Sequence, residues 1–236
     1  SRYFTGKPDK LYNNNIIRLT SLVSENGGRK MNNTKNTRLS TRKIAIAGIM
    51  SAFSILLSLI PSLGYIVVPF TPITITTMHI PVIIAAILEG PVVGGFVGLI
   101  FGLSSMYTAA TIFSGLPTAF VFLNPLVSVL PRILIGIVAY YVYAGISRLI
   151  RNKGVATVIG AVAGTLTNTI GVLGMIYLLY AQEYVDAVVK ASETPVVVTS
   201  AFVFIFGGVL LNAVLEVVLS ALVSTPVVYA LNKIKR

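Results

Sequence analysis

The 236-residue chain has no cysteine and a single histidine, His79. Disulfide frameworks and thiolate metal sites are therefore excluded, and one imidazole cannot build a histidine-based metal cluster. Charge is also scarce: 11% of residues are charged, against about 25% in an ordinary soluble domain. So few charges cannot dress a water-facing surface. A Walker phosphate loop is missing, no acidic pair recurs at metal-ligand spacing, and "GLSSM" has neither the pattern nor the setting of a nucleophile elbow. The chain reads as non-catalytic and cofactor-free.

What it has instead is apolar length. Hydrophobic residues make up 55% of the chain and the mean hydropathy is +0.87. Several runs approach or exceed the roughly 20 residues that cross a bilayer. They are continuous rather than alternating, unlike the strands of a membrane barrel. The fold class is therefore an all-α integral membrane protein. A net charge of +11 on a soluble protein would suggest nucleic acid. Here, sixteen of the eighteen cations fall in three blocks: Arg2 to Lys43, Arg148 to Lys153, and Lys233 to Arg236. Such blocks mark cytoplasmic segments beside a membrane, so the partner is the lipid bilayer and not a nucleic acid.

Residues 1–42 form a polar, basic tail without apolar periodicity, and no signal-peptide core follows its charges. "GGRKM", Gly27 to Met31, can be encoded by GGA GGA AGA AAA ATG, a bacterial ribosome-binding sequence ahead of a start codon. Translation is expected to begin at Met31, with the preceding segment a translated leader. The membrane domain, 43–236, is expected to hold six spans, near 43–60, 77–88, 91–106, 124–150, 154–180 and 199–231. "PSLGYIVVPFTPIT" is too rich in proline for a helix and reads as an outer loop, as do 107–123 and 181–198. An even count puts both termini and the 148–153 cluster on one side, the cytoplasm. No internal repeat is evident, which counts against inverted-repeat transporters.

Polar groups within apolar spans need a partner or a function. Two readings stand for Arg132: a bidentate clamp on a ligand carboxylate or phosphate, or a salt bridge to Glu216. Asn212 and Glu216, four residues apart, share a helix face, and Asn168 sits centrally in the fifth span. Interhelical hydrogen bonds would explain each asparagine singly. Three spans carrying Asn or Arg at similar depth favour a shared cavity. Thr74, Thr76 and His79 stand where the first outer loop enters the second span, either as a cap with an interfacial histidine or as ligand contacts. Glu89, at the inner turn, reads as structural. Gly90, Gly94, Gly98 and Gly102 recur every fourth residue, and Ala47/Ser51 and Gly48/Ala52 are small-xxx-small pairs. Both patterns permit close helix approach, within the chain or to a partner.

The helix-1 motif "AIAGIMSAF", the hairpin "IPVIIAAILEGPVVGGFVGLIFGLSS" and "NPLVSVLPRILIGIVAYYVY" resemble the substrate-binding S components of energy-coupling factor (ECF) vitamin transporters. "LGYIVV…ITTMHIPVIIAAI" and "NPLVSVLPRILIG" look most like the pantothenate-type members. The resemblance, over about residues 41–236, implies a six-helix S-component bundle in a bacterial cell membrane. It implies a binder of a water-soluble vitamin that docks on a transmembrane coupling protein carried by two cytoplasmic ATPase subunits. It places Asn124, Arg132, Asn168 and Asn212 in the pocket, Thr74 and Tyr107 near its lid, and the docking face on Ala47/Ser51 or Gly48/Ala52. Alternatives are an S component for riboflavin, folate, pyridoxine or cobalamin, or a stand-alone secondary transporter. The last would need an ion relay from Glu216, Glu89 and His79 alone. A lipid-modifying enzyme would require clustered acids or histidines that are absent.

Overall fold

A computed structural model describes residues 18, 20, 40–67, 74–150, 152–192, 200–207 and 209–233. The tail before Ser40, apart from Arg18 and Thr20, lies outside the described residues, and so do the expected leader and start site. Helix α1 covers Thr41–Leu59. Ile60, preceding a proline, is extended with φ −109° and ψ 94°, because the proline ring disfavours helical backbone in the residue before it. Pro61 then opens a one-turn helix, α2 (Pro61–Gly64).

The expected first outer loop is in part a β-hairpin. β1 (Tyr65–Val67) pairs antiparallel with β2 (Thr74–Thr76), Tyr65 opposite Thr76 and Val67 opposite Thr74. Pro69 and Pro72 fall between the strands in sequence, at positions outside the described residues, while β-branched Ile, Val and Thr occupy the ladder.

Helix α3 (Ile80–Glu89) follows, and every residue from Ile80 to Leu88 is buried. Gly90, at φ 103°, makes the sharp turn that a side chain would strain, and Pro91 starts α4 (Pro91–Ala110). A 3-10 turn (Ala119–Leu123) leads to α5 (Pro125–Ser128) and α6 (Leu130–Leu149). Helix α7 runs from Lys153 to Ala191 with a kink at Tyr180 (φ −140°, ψ 23°). The expected end of the fifth span is thus a bend, and the helix resumes into the expected third outer loop as far as Ala191. Residues 193–199 lie outside the described residues. α8 (Ala201–Gly207) and α9 (Leu210–Lys233) complete the chain.

Among the described residues, five helices are long and apolar enough to cross a membrane: Thr41–Leu59, Pro91–Ala110, Pro125–Leu149, Lys153–Ala191 and Ala201–Lys233. Against an expectation of six, α3 falls short: its ten residues reach only about 15 Å at helical rise. The packing is inverted relative to a soluble bundle. On α1, Ser51, Ser54 and Ser58 are buried while Ile49, Phe53 and Leu56 are exposed; on α9, Ser220 and Ser224 are buried while Val218 and Leu222 are exposed. Small polar residues let helices approach, and the large apolar ones belong against lipid.

The glycine row of α4 is spent inside the chain. A Cβ on Gly94 would strike Ala86 of α3 and come close to Gly136 of α6. One on Gly98 would strike the Arg132 carbonyl, and one on Gly102 would meet Val129 and the Ser128 carbonyl. Backbone thus packs on backbone along α4 and α6. At the turn between α3 and α4, Arg42 Nε approaches Glu89 Oε1 at 2.8 Å, tying the start of α1 to that turn. This partner fits the structural reading of Glu89.

A polar cavity beneath the hairpin

Proline chemistry positions the central cation. Pro131 has no amide proton, so the Val127 carbonyl, four residues earlier, lacks its helical donor. Arg132 Nη1 donates to that carbonyl at 2.6 Å. The guanidinium lies over Phe101 at 5.6 Å and Phe122 at 5.9 Å from the ring centroids, within cation–π range. Arg132 is 6% exposed, and its Nε is buried with no partner. No ion pair joins it to Glu216 among the described residues; the salt-bridge reading of Arg132 is therefore set aside. One donor of the guanidinium is thus buried and unspent, which is costly unless something else accepts from it.

Glu216 is held elsewhere. Its Oε1 accepts from the Thr76 amide at 2.9 Å and from Thr76 Oγ1 at 2.6 Å. This carboxylate on α9 therefore clasps β2. Arg132, Asn168, Asn212, Thr76 and Glu216 line one cavity of about 660 Å³. Asn168 Oδ1 is a buried acceptor with no partner. Apolar walls come from Phe101, Phe113, Val172 and Leu173, and Tyr65 of β1 meets Phe113 edge-on at 5.5 Å. The cavity lies at the end of the bundle that carries the hairpin and the α4–α5 connection.

The residues singled out in the sequence divide. Arg132, Asn168 and Asn212 come together. Asn124 does not line the cavity: its Oδ1 caps α5 by accepting from the Leu126 amide at 2.9 Å, and its Nδ2 donates to Tyr180 at 3.0 Å. His79 is buried and does not line the cavity; its Nε2 lies 3.1 Å from Thr165 Oγ1. Tyr107 is 59% exposed on α4. The backbone of Thr74 belongs to β2, and its side chain lies outside the described residues. Thr76, open in the sequence between a cap and a ligand contact, lines the cavity. Sequence reasoning gave two further cavity residues no such role: Glu216 stood as the ion-pair partner in one of two readings of Arg132, and Tyr65 lay in an expected loop; the β-branched runs flanking the prolines were the available signal for a hairpin.

The small pairs of α1 also separate. Ala47 packs against the core and Ser51 is buried, whereas Gly48 and Ala52 are exposed. A Cβ on Gly48 would meet nothing within 4 Å.

A family profile described as "ECF transporter, substrate-specific component" matches residues 42–228. The chain belongs to that family. The pantothenic acid transporter PanT of Lactococcus lactis subsp. cremoris is 31% identical over 205 residues, 80% of this chain and 93% of the relative. The pantothenate transporter PanT of Leuconostoc mesenteroides subsp. mesenteroides is 33% identical over 142 residues, 56% of this chain and 67% of the relative. This S component is a multi-pass protein of the bacterial cell membrane, and its family places it among transporter substrate-binding components rather than enzymes.

Proposed function

We propose that the chain binds pantothenate as the S component of an ATP-driven ECF uptake transporter. The observation that carries this is the cavity itself: an unspent guanidinium donor and an unspent amide acceptor share an interior with aromatic and aliphatic walls. Pantothenate has a carboxylate for Arg132, an amide and hydroxyls for Asn168 and Asn212, and a dimethyl carbon for the apolar wall. A ligand matching both polar groups and apolar wall is what such a pocket selects. The relatives' names support the same vitamin.

The hairpin and α3 together make the sixth crossing, which puts both termini in the cytoplasm and the cavity toward the exterior. The Arg42–Glu89 tie then lies on the inner face, consistent with the basic blocks. Gly48 and Ala52, the outward small pair of α1, are the docking face for the coupling protein, whose two ATPase subunits supply energy.

Cells expressing this chain provide the test. Pantothenate should accumulate only when the coupling protein and both ATPases are coexpressed and the ATPases are active. Accumulation by the chain alone would instead make it a self-sufficient transporter.

A further inference from the structure

Arg132 and Glu216 are 6% and 7% exposed and line the same cavity. Opposite charges in a low-dielectric interior gain much by pairing, yet here they do not pair. The fold gives each its own partners: the Val127 carbonyl for the cation, and Thr76 with Thr169 for the carboxylate. The cavity therefore has one cationic wall and one anionic wall. Both bonds from Thr76 fall on Oε1 of Glu216, and the Thr169 side chain also hydrogen-bonds this carboxylate; with about four acceptor sites on a carboxylate, one remains for a ligand.

We propose that Glu216 is a specificity-determining residue. Its carboxylate accepts a hydroxyl from the end of the ligand remote from the ligand's own carboxylate, and it rejects molecules that are negatively charged at that end. This inference rests on the pantothenate reading above and adds a direction to it. The ligand's carboxylate lies on Arg132 and its hydroxylated end on Glu216, because the reverse pose sets two carboxylates against each other. The ligand class is a monoanion with a neutral, hydrogen-bond-donating far end; dicarboxylates and terminal phosphates are excluded. The hairpin takes part through Thr76, since the carboxylate that reads the ligand also holds β2.

The experiment titrates the purified full chain, and its Glu216→Gln variant, with pantothenate and with 4′-phosphopantothenate, in which a phosphoryl group replaces the terminal hydroxyl hydrogen. Wild type should prefer pantothenate by roughly a hundredfold or more, the scale of a like-charge juxtaposition. Glu216→Gln is isosteric and can still accept from Thr76; it should bind pantothenate within about tenfold of wild type and shrink the preference by at least about tenfold. Similar wild-type affinities for the two ligands would overturn the inference even if the variant fails to fold. So would a preference that persists unchanged in Glu216→Gln, the result expected if phosphate bulk alone decides. Failure of wild type to bind either ligand would overturn the pantothenate reading itself, and the inference with it.

Discussion

Pro131 and Arg132 work as a pair: the proline frees the Val127 carbonyl, and the adjacent guanidinium takes it up while keeping Nε in reserve. Arg132→Ala should therefore do two things. Pantothenate affinity should fall by about 2 kcal/mol or more, the scale of a lost charged hydrogen bond, and the melting temperature should drop because a buried carbonyl is orphaned. Calorimetric titration and a thermal melt in detergent read the two effects separately. Unchanged affinity in a folded variant would reduce Arg132 to a prop for the proline break. Asn124→Ala should show the complementary pattern, a stability loss of about 1 kcal/mol from the missing cap with affinity nearly intact. An affinity loss as large as that of Arg132→Ala would place Asn124 in the binding site after all. Arg132, Asn168 and Asn212 were legible in the sequence because polar groups within apolar spans demand an explanation. Asn124 and His79 were not separable from them, since a cap or a core hydrogen bond leaves the same mark as a ligand contact. The role of Glu216 could not be read because its partners are a backbone amide and hydroxyls of Thr76 and Thr169, which no charge pattern reveals.

At the scale of elements, close approach between α4 and α6 sets where Arg132 sits. Gly98→Ala places a methyl against the Arg132 carbonyl itself and must push α6 outward. It should lower stability by about 1–3 kcal/mol, the usual cost of overpacking, and weaken binding with it. Gly95→Ala, three residues earlier on the same helix, meets its nearest neighbours at 3.7 Å and 3.9 Å and should change neither property. Melting curves and titrations of both variants decide the matter, and equal behaviour would remove the backbone contact from the account. Helix α4 could be read from its apolar run and its glycine row, but not which surface the row would meet, because small-residue spacing is the same for internal and external partners. The hairpin was hidden by prolines that argue against helix without arguing for strand. The extension of α7 past Tyr180 was hidden by Glu183, Asp186 and Lys190, whose charges read as loop although they ride on helix.

For the whole molecule, the proposed docking face on α1 and the cavity are built from different residues, so binding and energy coupling should be separable. Gly48 is exposed with open space around it. Gly48→Leu should leave pantothenate binding by the isolated chain unchanged while cutting uptake by the assembled transporter about tenfold or more, as bulk at a close helix contact does. Loss of binding in the isolated variant would show that this face belongs to the fold instead. The class and the general span pattern followed from composition alone, since too few charges force the chain into lipid. The number of helices long enough to cross did not, because α3 is buried by its neighbours over only ten residues, and a buried short helix has the same apolar composition as a spanning one. The central claim is that this bundle alone holds pantothenate in its polar cavity, without nucleotide or partner. Titrating the purified, ligand-free chain with pantothenate in detergent tests it directly. Saturable binding near one vitamin per chain, abolished or sharply weakened in Arg132→Ala, is the predicted result; no heat and no saturation in a protein that melts cooperatively would contradict it.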